Sequence, residues 1–253
     1  MRHQDTYSKN ESYARILEGW DPAFYALYID TLCPAEPGAR ALDVGCGVGR
    51  VVEALQSRGY EAVGVEVSEP NLQLARQRGA RCELYDGTHL PFPDGAFASV
   101  GALNVLEHVE EPERFLEELV RVTRIEGKVV VSSPNFHRVI GFRDYHPRMR
   151  GFGNKCRNCR RLLQKWRQIR HSPDEVRFDR MQPIVREEFQ PDDDAIIATN
   201  ALEMRFFLER AGCEVERVSC TDRHVNRALD FLLNAGPWRY AMLNSFLVAR
   251  RVR

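Results

Sequence analysis

The sequence predicts an α/β fold: a mostly parallel sheet with helices on both faces, interrupted by one insertion. Three observations predict it. Short apolar runs that read as buried strands alternate with amphipathic stretches that read as helices. The alternation stops at Pro134 and resumes at Asn200. The segment between is basic, whereas the rest of the chain is acidic. Strands separated by helices favour parallel pairing, because each crossover then lies over a face of the sheet.

Taken in order, Asp21 and Pro22 pair an N-cap with a first-turn proline and open a helix through residue 33. Residues 41–44 form a short apolar strand ending at glycine. A helix follows over 50–57, closed by Gly59. Residues 62–67 are the next strand, and Glu69-Pro70 opens another helix. Residues 97–105 are apolar enough for a central strand. Over 112–124, Phe115, Leu116, Leu119, Val120 and Val122 make one apolar stripe. Residues 129–131 are a β-branched strand. After the insertion, Asn200 and Glu203 have capping-box spacing and start a helix to Ala211, stopped by Gly212. Residues 214–220 and 244–249 read as closing strands. The core is therefore 1–135 with 196–253, and the insertion is 136–195, after the fifth strand.

The chain has 253 residues, 43% hydrophobic and 28% charged, the composition of a globular domain and not of a disordered one. It contains no apolar run near the ~18 residues of a membrane span. The first ten residues lack the apolar stretch of a secretory signal. Seven irregularly spaced Cys argue against a disulfide framework and for a reducing cytoplasm. Lys and Arg total 36, as do Asp and Glu, so the net charge is zero. That neutrality is an average. Residues 136–180 hold 13 Lys and Arg against 4 Asp and Glu, and the remainder carries the matching negative excess.

The informative stretch is Ala41-Leu42-Asp43-Val44-Gly45-Cys46-Gly47-Val48-Gly49-Arg50. It sets alternate glycines between a strand and a helix, where a ligand can approach bare backbone and the free N–H groups of the helix start. Glu66 ends the next strand, where a carboxylate can accept from both hydroxyls of a ribose. A dinucleotide loop reads G-x-G-x-x-G, but here the last position is Arg50. Asp43 would repel a pyrophosphate and suit a cation, such as the amino group of an amino-acid moiety. The chemistry favours a cationic adenosyl cofactor over NAD.

These residues resemble the class I S-adenosylmethionine-dependent methyltransferases, especially those similar to the ubiquinone and menaquinone biosynthesis enzymes. Tyr85-Asp86-Gly87 resembles the family's segment after the third strand, where Asp86 would contact the adenine amino group. Asn104-Val105-Leu106-Glu107-His108-Val109 matches the segment after the fourth strand, and Ser132-Ser133-Pro134-Asn135 closes the fifth. Ala98 stands where the family commonly has an acid. The resemblance implies a Rossmann-like sheet of seven strands. It also implies S-adenosylmethionine as cofactor, S-adenosylhomocysteine as product, and Asp43, Gly45, Cys46, Gly47, Gly49, Glu66, Val67, Asp86, Gly87 and Asn104 around the cofactor.

A hydroxyl acceptor must lose a proton, so O-methylation of a small molecule or a lipid- or nucleotide-linked glycan calls for a base. His108 is the first candidate and His146 the second. N- or C-methylation, or a non-catalytic cofactor-binding or membrane-associated accessory role, are the alternatives. Arg143, Tyr145 and Arg148 follow the fifth strand and are expected at the acceptor. Cys156 and Cys159 sit at i and i+3 of a helix without the further ligands zinc needs, so no metal is expected. Over 158–170, Leu162, Leu163, Trp166 and Ile169 make one face amid arginines. This helix could pack over the active site, lie on the anionic inner face of a membrane, or recognise a phosphate-bearing acceptor. Few interleaved aromatics and an acidic remainder argue against nucleic acid.

Overall fold

A computed structural model describes residues 17–141, 144–184 and 192–253. Strands β1 (Arg40–Val44), β2 (Glu61–Glu66), β3 (Cys82–Leu84), β4 (Phe97–Leu103), β5 (Thr123–Pro134), β8 (Cys213–Ser219) and β9 (Asn244–Arg251) form one sheet. Its order is β3-β2-β1-β4-β5-β9-β8. The first five strands pair in parallel, and β9 runs antiparallel between β5 and β8. The strand order reverses between β1 and β4, so the crevice beyond their carboxyl ends is the binding position of an open α/β sheet.

Helices α1 (Ala26–Leu32), α2 (Arg50–Ser57) and α3 (Glu69–Gln77) cover one face, and α4 (Pro112–Val122) and α6 (Ala201–Arg210) cover the other. Alternation along β5 explains why its apolar run is continuous: Val129 and Val131 join one core and Val130 the other. The same holds for Leu247 and Ala249 against Phe246 and Val248 in β9. Asp21 accepts from the Ala23 N–H at 2.9 Å, as expected of a cap, but the turn at Pro22–Phe24 is 3-10 and α1 starts afresh at Ala26.

Three expectations are corrected. β5 is much longer than residues 129–131 and begins where α4 ends; its pairing with β4 shifts register between Phe97 and Ser99, beside Ala98. β4 ends at Leu103, two residues early, because Asn104 turns into the left-handed region at φ 53°. Helix α7 (Arg227–Asn234) was not anticipated, and it buries none of its residues.

The insertion is knitted into the core. It contains α5 (Phe152–His171) and a ribbon of β6 (Asp179–Arg180) with β7 (Ile197–Ala198). Val176, Phe178 and Ile197 join the core beside α4 and α6, and Phe178 stacks on Phe207 at 5.1 Å. The inward face of α5 is Asn158, Leu162 and Lys165, while Leu163 and Trp166 are exposed, contrary to the apolar face read from the sequence. The cause is polar. Lys165 Nζ pairs with Glu203 at 2.6 Å and with Asp179 at 2.8 Å, and the Asn158 amide donates to the carbonyls of Phe136, Arg138 and Arg148. Trp166 lies under the Arg170 guanidinium, 4.6 Å from its ring centroid. Asn200 caps α6 through the Leu202 and Glu203 N–H groups, but the Glu203 carboxylate answers to Lys165 and the Asn200 amide.

Candidate active site

A pocket of about 960 Å³, open solvent at its mouth included, occupies the crevice beyond β1 and β4. Its floor is the glycine loop. Gly45 adopts φ 72°, and a Cβ there would sit 2.4 Å from Val105 Cγ2, so the loop and the β4 segment touch only because the side chain is absent. Gly49, at φ 79°, starts α2 with no room for a methyl against Ala75 and Ala80. The Gly45 and Cys46 N–H groups bond to the Val65 carbonyl, which ties the loop to β2.

Asp43 and Glu66 stand at the ends of adjacent strands and both line the pocket. Asp43 is buried and accepts from the Tyr28 hydroxyl at 2.8 Å. Tyr28 reaches it over Gly101, where any Cβ would lie 2.3 Å from the hydroxyl. Burial pushes the Asp43 carboxyl up to about 7; the Tyr28 hydrogen bond opposes this and the Glu66 charge adds to it. Burial also raises Glu66, against N–H donors from Ser68, Gly47 and Val67 at 2.8–3.0 Å. Two buried acids thus share one pocket wall.

Of the cofactor residues named from the sequence, Asp43, Gly45, Cys46, Gly47, Glu66, Val67 and Asn104 line this pocket. Gly49 lies behind it, at the start of α2. Asp86 is exposed and accepts from the Thr88 and His89 N–H groups at 2.8 and 3.1 Å; those bonds hold its carboxyl below the usual range. Asp86 and Gly87 therefore sit beyond the pocket wall, and the neighbouring Tyr85 lines it. The wall also contains Leu17, Trp20, Phe24 and Tyr25, which sequence reasoning missed. No local motif marks them; they reach the pocket only because the N-terminal segment folds over the sheet edge.

His108 lines the pocket from the 3-10 turn Leu106–His108. Burial alone would lower its pKa, but Asp194, Glu107 and Asp192 outweigh this and the net shift is upward. It thus holds a proton more firmly than a free imidazole does. His146 is buried elsewhere. It caps the turn Pro147–Met149 by accepting from the Arg148 N–H and packs on Phe136 at 5.1 Å, with no part in the pocket lining. Tyr145 donates to Asp192 at 2.6 Å. Arg148 lies near Arg161 and Asp179, away from the pocket, and burial lowers its pKa. Arg143 lies outside the described residues. Cys156 and Cys159 are exposed and free on α5.

Residues 42–131 match the methyltransferase domain family. An uncharacterised methyltransferase of Mycobacterium sp. (strain JLS) is 44% identical over 99 residues, covering 38% of this chain and 39% of that protein. A demethylmenaquinone methyltransferase of Renibacterium salmoninarum is 36% identical over 107 residues, covering 40% of this chain and 45% of that protein. The chain thus spans less than half the length of these curated relatives. An S-adenosylmethionine-dependent methyltransferase structure from Mesorhizobium loti superposes with a TM-score of 0.58 at 18% identity, over 93% of this chain and 100% of that one. The chain has the fold of the class I S-adenosylmethionine-dependent methyltransferases. Residues 42–131, the part that matches the methyltransferase domain family, are similar in sequence to demethylmenaquinone methyltransferases. Among the described residues, no helix is long and apolar enough to cross a membrane.

Proposed function

We propose that the chain transfers a methyl group from S-adenosylmethionine to an oxygen of a small-molecule or glycan acceptor, leaving S-adenosylhomocysteine. One observation carries this reading: Asp43 and Glu66, both buried, face one pocket across a glycine loop too tight at Gly45 for any side chain. Glu66 would hold the ribose hydroxyls through Oε2, which accepts one backbone N–H, from Gly47, whereas Oε1 already accepts two. Asp43 would face the amino group of the methionine moiety, whose positive charge offsets the cost of burying the carboxylate. Trp20, Phe24 and Tyr25 line the pocket and would offer aromatic faces to a cation.

S-adenosylmethionine, when bound, supplies a methyl group on a positively charged sulfur. The chain's task is alignment of the acceptor with that methyl, which can account for a large part of the rate. His108 lines the pocket and would contact the acceptor there. The insertion is where acceptor choice would reside, because Asp192 and Asp194 return from it to His108 while the outer face of α5 stays exposed.

Calorimetry with S-adenosylmethionine tests the cofactor. Glu66→Ala should weaken binding by about 1–3 kcal/mol through its lost charged hydrogen bonds. No binding by the intact chain removes the proposal. Transfer of a labelled methyl to hydroxylated acceptors then tests the reaction, with amine acceptors alongside. Label found only on nitrogen rejects the oxygen assignment.

A further inference from the structure

The acidic run that ends the insertion, Asp192 to Asp194, has no role in the cofactor pocket, yet the fold brings it against Glu107 and His108. The Ile196 N–H donates to the Glu107 carbonyl at 2.9 Å, which pins the returning chain to the turn after β4. One ligand atom from each of Glu107, His108 and Asp192 then lies within 4.8 Å of the other two. We infer that these three side chains form a binding site for a divalent cation of the magnesium or manganese class, at the acceptor end of the pocket.

Four observations support it. Glu107 is wholly buried; its Oε2 accepts from the Ser133 hydroxyl at 2.8 Å, while Oε1 has no hydrogen-bond partner among the described residues. That free oxygen points at His108, 3.9 Å from Nε2. The other ring nitrogen, Nδ1, faces Asp194 at 3.6 Å. A ligating imidazole needs this arrangement, with one nitrogen toward the metal and the other toward a carboxylate or carbonyl that fixes the ring. Tyr145 donates to Asp192 Oδ2 at 2.6 Å and so orients the third ligand.

Three carboxyl groups, from Glu107, Asp192 and Asp194, stand around one imidazole. Ligands about 2.1 Å from a small divalent cation stand roughly 3–4 Å apart. Small side-chain rotations therefore close the present spacing onto an ion. The donors are hard oxygens with one imidazole and no thiolate, a set that suits Mn²⁺ or Mg²⁺. Three protein ligands leave positions open for water or an acceptor oxygen.

His108 is also part of the cofactor pocket wall, so an acceptor hydroxyl on the ion would lie beside the methyl donor. The ion would lower the pKa of that hydroxyl. Its proton would leave to water, the oxygen–methyl bond would form and the sulfur–methyl bond would break. This use of the ion rests on the methyl-transfer reading; the site itself does not.

The test is Mn²⁺ titration of the chelator-treated full chain, without S-adenosylmethionine, read by loss of the free-ion electron paramagnetic resonance signal. Saturable binding of one ion per chain is expected. Glu107→Gln and Asp192→Asn should each weaken it at least tenfold, while Asp174→Asn, on an exposed turn, should match the parent. Asp192→Asn preserves size and the Tyr145 contact, so it serves if Glu107→Gln fails to fold. Absence of saturable binding in the parent overturns the proposal, as does unchanged affinity in Asp192→Asn. Because no cofactor is present, failure here is separate from failure of S-adenosylmethionine binding in calorimetry.

Discussion

Asp43→Asn should stabilise the protein at pH 8 relative to pH 5 while weakening its hold on the cofactor. Burial raises the folded-state pKa of Asp43 from 3.8 to about 7. A raised carboxyl means that the folded state binds the proton more tightly. The stability tied to Asp43 is therefore complete below pH 3.8 and is lost as pH rises to about 7. Between pH 5 and 7 the slope is close to one proton, about 1.4 kcal/mol per pH unit, or about 3 kcal/mol in all. Asparagine removes this dependence. Any penalty for its extra N–H, about 1–3 kcal/mol if unpaired, applies equally at both pH values and cancels in the comparison. For a chain of this size the difference corresponds to roughly 5–11 °C. The assay is thermal melting of parent and variant at pH 5 and pH 8. The variant's melting temperature, relative to the parent, should rise by that amount between the two. S-adenosylmethionine affinity should fall by about 1–3 kcal/mol with the lost charge. A variant-to-parent difference that is the same at both pH values would refute the buried-charge argument.

Gly45→Ala should cost roughly 2–4 kcal/mol, combining a left-handed φ with a Cβ 2.4 Å from Val105; adding Val105→Ala should recover part of that loss in denaturant melts. Lys165→Met should cost about 3–5 kcal/mol, since it leaves the buried Glu203 without its cation while Asp179 keeps Arg161; proteolysis between α5 and β6 should quicken, and unchanged protection would show that other contacts hold α5 in place. Trp166→Ala should change stability by less than about 1 kcal/mol, because the ring is exposed and loses mainly its contact with Arg170; a larger loss would mean that the outer face of α5 is packed in solution.

The glycine loop, Asp43 and Glu66 were legible because they belong to one strand–loop–helix–strand unit. There, sequence spacing maps directly onto position at the ends of neighbouring strands. Asp86 was less so. Its segment was identified, but the turn that engages Asp86 Oδ1 through the Thr88 and His89 N–H groups depends on the backbone two residues on. The face of α5 was misread because hydrophobic periodicity carries no information about ion partners on other elements. Lys165 turns inward because Glu203 on α6 and Asp179 on β6 meet it there. His146 looked like a base from its place after β5, yet it is spent on capping a turn.

What the sequence determined by itself is what local physics decides: helix starts, strand alternation, a bare-backbone loop and the identity of the acids beside it. It also showed a zero net charge split between an acidic core and a basic insertion. Only the tertiary structure decided which distant groups meet. Tyr28 reaches Asp43 across Gly101, aromatic residues of the N-terminal segment line the pocket, and Asp192 comes back through the insertion to Glu107 and His108. Such meetings depend on loop closure and on packing against a shared sheet, and no short-range pattern in the chain encodes them.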